Sequence, residues 1–102
     1  MPAPVLAAAQ KRYLRGLAHD LKPVILVGAK GVTEALVAEL DLALERHELV
    51  KVRVAAEDRD ERDAWIEDLV ARSGAASIQR VGHVVTLYRP SREKPQIALP
   101  RG

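Results

Sequence analysis

The stretch Pro23-Val24-Ile25-Leu26-Val27-Gly28-Ala29-Lys30-Gly31-Val32 decides the fold. Five residues with an uninterrupted apolar run predict a short strand, buried on both faces like an inner strand. Two glycines then bracket a tight turn, and a helical pattern begins near Val32. Glycine at such a turn permits positive φ and the close approach of another backbone. A strand–turn–helix order also carries the N–H groups of a helix start, here with Lys30 among them, to the surface, where an anion is favoured. The same spacing serves a βα turn that needs glycine for geometry alone, so the turn leaves both readings open. It lacks the Gly-Lys-Ser/Thr of a Walker loop and the third glycine of a dinucleotide fingerprint.

On the N-terminal side, a helix is expected from Val5 to Asp20, with Leu6, Gln10, Tyr13, Leu14, Leu17 and Leu21 as its inner stripe. Residues 1–4, with two prolines, are expected to fray. Lys11, Arg15, His19 and Lys22 recur every three or four residues and make a column of cations, with Arg12 at its edge. Like charges at that spacing repel by a few tenths of a kcal/mol per pair, and solvent or a phosphate backbone relieves this.

On the C-terminal side, Thr33–Arg46 reads as a second helix with Leu36, Val37, Leu40, Ala43 and Leu44 inward and Glu39, Asp41 and Glu45 outward. Leu49–Ala55 alternates cleanly: Val50, Val52 and Val54 face one side, while Leu49, Lys51 and Arg53 face the other. Strand, helix, strand implies a parallel crossover. The acidic run Glu57–Asp68 opens a third helix with Asp58 or Asp60 as N-cap, Trp65, Ile66, Leu69 and Val70 as inner stripe, and Gly74 as C-cap. Capping accounts for these carboxylates better than an acid–base pair does. Ser77–Val81 and Val84–Tyr88 flank Gly82-His83 as a hairpin, with Ile78 and Arg80 sharing a face. The tail 90–102, with three prolines, reads as an irregular strap pinned by Ile97 and Leu99.

The bulk numbers narrow the function. A chain of 102 residues, 48% apolar, fits one small domain with a modest core, read here as spanning 1–102. With no cysteine it has neither a disulfide framework nor a thiolate metal site. No segment reads as a signal peptide or membrane span, so a cytoplasmic location is expected. The net charge of +2 hides a division: residues 1–31 balance at +4, 32–75 at −6 and 76–102 at +4. If folding unites the two basic ends, a polyanion has a face to meet. No Ser/His/Asp or Cys/His set exists, and His19, His47 and His83 fall in unrelated elements, so neither catalytic residues, a metal nor a cofactor is expected. With only Tyr13, Trp65 and Tyr88 aromatic, a stacking platform for several bases is not expected.

Several ordered segments resemble the CRM domain family (chloroplast RNA splicing and ribosome maturation). They are Tyr13-Leu14-Arg15-Gly16-Leu17-Ala18-His19 with Leu21-Lys22-Pro23, Gly28-Ala29-Lys30-Gly31 with Thr33-Glu34, His47-Glu48-Leu49-Val50-Lys51-Val52, Gly82-His83, and Leu87-Tyr88-Arg89-Pro90-Ser91. The resemblance runs from about Lys11 to Arg101 and is similar to that of free-standing bacterial YhbY-like proteins. It implies an α+β fold of two-layer type in the order α-β-α-β-α-β-β, like the C-terminal domain of translation initiation factor three, with a mixed four-stranded sheet. It implies a KH-like glycine loop that clamps structured RNA, ribosomal RNA or pre-ribosomal particles of the large subunit in particular, with a ribosomal protein as a possible further partner and the protein as a monomer. The implied contact set is Gly28, Ala29, Lys30, Gly31 and Thr33, extended by Lys11, Arg12, Arg15, His19 and Lys22, and more weakly by Lys51, Arg53 and Arg89. Ala29 departs from the pattern, since relatives often carry a second basic residue there. The competing reading is a protein–protein adaptor that docks through the acidic third helix, with the glycine turn purely structural.

Overall fold

The computed structural model describes residues 3–101. Helix α1 (Ala8–Ala18) precedes strand β1 (Pro23–Val27), followed by α2 (Glu34–His47), β2 (Leu49–Val54), α3 (Arg59–Ser73), β3 (Ala76–Val81) and β4 (Val84–Tyr88). The strands form one mixed sheet in the order β1-β2-β4-β3. β1 and β2 run parallel, and the other two pairings are antiparallel. The element order and the mixed sheet are those expected from the sequence.

The alternation of β2 organises the interior. Val50, Val52 and Val54 enter the main core together with Leu40 and Leu44 of α2, Ile66 and Leu69 of α3, and Val85 and Leu87 of β4. Each such side chain, fully buried, contributes about 1.5–3 kcal/mol relative to exposure. On the opposite face Leu49 joins Leu14 and Ala18 of α1 with Ala76, Ile78 and Tyr88 in a second cluster. The sheet thus has α2 and α3 on one face and α1 on the other.

Four local expectations change. β1 is an edge strand rather than an inner one: Ile25 and Val27 are buried, but Val24 and Leu26 are 57% and 59% exposed. Among the described residues no element packs closely over the α1 side of the sheet at this edge, so the apolar run is buried on one face only. α1 is shorter than predicted, and its inner line is Leu14 and Ala18; Tyr13, Leu17 and Leu21 remain exposed. In β3 a register shift between Ser77 and Gln79 puts Ile78 in the α1 cluster while Arg80 reaches Asp63 of α3, so these two residues do not share a face. Asp41 and Glu45 do not point freely outward, because both bind Arg89.

The chain ends meet. Ala3 and Leu6 pack with Ile97 and Leu99 on the second cluster, and the Gln10 side-chain amide donates to the Pro100 carbonyl at 3.0 Å. Ala3 is therefore held against the body instead of fraying; Met1, Pro2 and Gly102 lie outside the described residues. Among the described residues no helix is long and apolar enough to cross a membrane.

Candidate nucleic-acid interface

The glycine turn lies at the C-terminal end of β1. The Gly31 N–H donates to the Gly28 carbonyl at 3.0 Å and closes the turn, with Ala29 and Lys30 exposed at its tip. Its two glycines do different work. Gly31 is buried at φ 72°, and a Cβ there would lie 3.2 Å from the Trp65 indole. A Cβ on Gly28 would meet nothing within 4 Å. Helix α2 begins three residues past the turn, at Glu34, where the Thr33 hydroxyl accepts the Leu36 N–H at 3.1 Å. The helix start is thus set back from the turn, and the Thr33 hydroxyl is committed to capping it.

The cations gather on the α1 face of the sheet, beside that helix. Arg15, His19, Lys22 and Lys51 line one groove of about 410 Å³ with Gln79 and Thr86, and no carboxylate lines it. Lys51 is aligned with Pro23 at the start of β1; Arg53, exposed on the same face, is aligned with Leu26 near its end. The turn begins two residues later, at Gly28. α1 therefore delivers its cations to the beginning of β1, and Lys51 and Arg53 mark the way along a strand of about 16 Å to the glycines. Lys11 lies one helical turn before Arg15 on the same column, half-buried; Arg12 is exposed beside it. Neither lines the groove. Leu17, Leu21 and Val24, with His47 and Ile97, border an adjoining apolar cleft of about 400 Å³.

Arg89 does not belong to this surface. Its side chain is 4% exposed. Its Nη1 donates to Asp41 Oδ1 at 2.6 Å and to the Ser73 carbonyl at 2.8 Å, and its Nη2 donates to Glu45 Oε1 at 3.2 Å. A buried cation so engaged holds α2, α3 and the end of β4 together and presents nothing to a ligand. Sequence reasoning also missed its companion, Glu48. This residue is fully buried at φ 63°, and its carboxylate accepts the N–H groups of Ser91, Gln96 and Ile97 at 2.6–2.7 Å. The only local signal was one acid placed directly before an apolar strand. Burial raises the Tyr88 phenol above its ordinary value, and the nearby Glu48 charge adds to this.

The acidic helix is partly occupied with the fold itself. Asp58 caps α3 by accepting the Glu61 N–H at 3.0 Å, Asp68 pairs with Arg72, and Asp63 pairs with Arg80. The three histidines stand apart: His19 in the cationic groove, His47 at the apolar cleft and His83 in the hairpin turn.

Comparison with known proteins gives consistent likenesses. The family model described as the CRS1 / YhbY (CRM) domain matches residues 6–89. A Haemophilus influenzae protein named as an RNA-binding protein is 47% identical over 96 residues, covering 94% of this chain and 96% of the relative. The Bacillus subtilis protein YqeI, named a probable RNA-binding protein, is 38% identical over 94% of this chain and 100% of its own length. A solution structure of a hypothetical Staphylococcus aureus protein, for which RNA binding has been suggested, superposes with a TM-score of 0.79 at 35% identity, covering 94% of this chain and all of that one.

Proposed function

The chain belongs to the CRS1/YhbY (CRM) domain family, and from that premise we propose that it binds structured RNA along the α1 face of its sheet. The observation that carries this reading is the cationic groove: Arg15, His19, Lys22 and Lys51 converge there with no carboxylate among its lining residues. Arg15, Lys22 and Lys51 held together repel one another, and a phosphate backbone relieves that repulsion while releasing its counterions. The path continues past Arg53 to Gly28, Ala29 and Lys30, where the turn is open enough for a sugar-phosphate backbone to approach. Lys11 and Arg12 extend it along α1. Recognition follows backbone and shape, because the exposed surface offers few aromatic rings for base stacking. The RNA class we assign is ribosomal RNA in precursors of the large subunit, met in the cytoplasm by a protein without catalytic role.

The test is a fluorescence titration of labelled ribosomal RNA fragments at several salt concentrations. The double variant Arg15→Ala/Lys51→Ala is expected to bind about tenfold more weakly, and the slope of log K against log salt is expected to flatten by about 1.5, the share of two lost phosphate contacts. Unchanged affinity and slope in a folded variant overturn the assignment of this face.

A further inference from the structure

A second group of cations lies at the other edge of the sheet. Arg59 and Arg62 of α3, Arg80 of β3 and Gly82 of the hairpin line an open groove of about 440 Å³. In the sequence Arg59 and Arg62 are submerged in the acidic stretch Glu57–Asp68, where neutralising their neighbours is the simplest role. The structure separates them from most of those neighbours. On a helix, Arg59, Arg62 and Asp63 share a face, while Asp60 and Glu61 turn away from it. Among the described residues only Arg80 forms an ion pair in this group, with Asp63; Arg59 and Arg62 form none. Arg62 Nε is shielded from solvent and has no hydrogen-bond partner. A buried donor left unmatched costs about 1–3 kcal/mol, which a small movement of the side chain towards an acceptor in the groove recovers.

We propose that Arg59, Arg62 and Arg80 form a second phosphate-binding site, which takes a backbone phosphate of the same RNA. A planar guanidinium presents paired N–H groups that match two phosphate oxygens, and three of them exceed the one carboxylate already present. Gly82, at φ 58° with open space where a Cβ would stand, leaves the hairpin side of the groove unobstructed. This inference rests on the RNA-binding reading and extends it across the molecule. The glycine turn and the hairpin turn stand at the same end of the sheet: the Ala55 N–H donates to the Val27 carbonyl, and the Val54 N–H donates to the His83 carbonyl. Between them lie three strand spacings, about 14 Å, so one RNA segment can touch both edges.

The experiment compares Arg59→Gln/Arg62→Gln with Arg15→Ala/Lys51→Ala and with the unaltered protein, in the same salt-dependent RNA titration. The arginine pair is expected to weaken binding about fivefold and to flatten the salt slope by about 1, with the melting temperature held. Arg62→Lys, which keeps the charge and loses the fork, is expected to retain the slope but lose about half or more of the affinity. In a nitrogen–proton spectrum, the Arg62 Nε–H resonance should shift on adding RNA, and inorganic phosphate alone should shift it at higher concentration. If phosphate shifts the resonance but RNA does not, the site takes a phosphate from another source and the RNA assignment is overturned. If the Arg15/Lys51 pair weakens binding while the Arg59/Arg62 pair does not, this second site is refuted and the first face stands. If the unaltered protein binds no RNA, both fall.

Discussion

The carboxylate of Glu48, fully buried between α2 and β2, accepts the backbone N–H of Ile97 at 2.7 Å, 49 residues away. It accepts those of Gln96 and Ser91 as well. One side chain therefore fixes the course of the C-terminal strap, and Ile97 on that strap packs against the α1 cluster.

Removing this anchor should be costly. Glu48→Ala strands three N–H groups and is expected to lower stability by about 3–5 kcal/mol, since breaking a buried, charge-assisted set leaves uncompensated groups. Urea denaturation measures the loss, and limited proteolysis should cut first within 91–101. A loss below about 1 kcal/mol contradicts the role given to Glu48.

The two glycines of the turn should separate stability from binding. Gly31→Ala places a methyl group 3.2 Å from Trp65 at a φ of 72°, and is expected to cost about 1–3 kcal/mol. The chain has one tryptophan, so its fluorescence should report the displacement directly. Gly28→Ala meets open space and should stay within about 0.5 kcal/mol of the parent while weakening RNA binding. Equal stability losses for the two would show that the turn is structural at both ends.

Arg89→Ala should destabilise, not disarm. The variant takes the buried cation from Asp41 and Glu45, which keep only the exposed Arg92 beside them, and leaves the Ser73 carbonyl without its donor, an expected loss of about 1–3 kcal/mol. RNA affinity of the fraction that remains folded, titrated below the melting transition, should equal that of the parent. Weakened binding in that fraction would return Arg89 to the interface.

The Tyr88 phenol gives a pH signature. Its folded value is raised by burial first and by the Glu48 charge second. A raised value means that the unfolded chain loses this proton first as pH climbs. The contribution is thus complete below about 10, the ordinary phenol value, and is lost as pH rises from there through the folded value. In a Tyr13→Phe variant, which leaves Tyr88 as the only tyrosine, absorbance should show ionisation displaced to higher pH than in the unfolded chain. Coincident titration curves in the folded and urea-unfolded protein would refute this.

The sequence by itself determined the elements and their order, though not every end: α1 is shorter than its pattern. Period-two alternation at Val50, Val52 and Val54, a cap at Asp58 or Asp60, Gly74 after α3 and the Gly82-His83 turn all act over a few residues, and local order is legible where local forces set it. The contact set implied by the family motifs was legible as a list, but not its arrangement. Only the tertiary structure made β1 an edge strand, because strand order depends on which partners return to the sheet. Only it placed α1 on the face opposite α2 and α3, so that Arg15, His19 and Lys22 meet Lys51. Arg89 and Glu48 were taken out of reach by partners 16 to 49 residues distant. Whether a charged residue serves the interior or the surface depends on what folding brings beside it, and no local pattern records that.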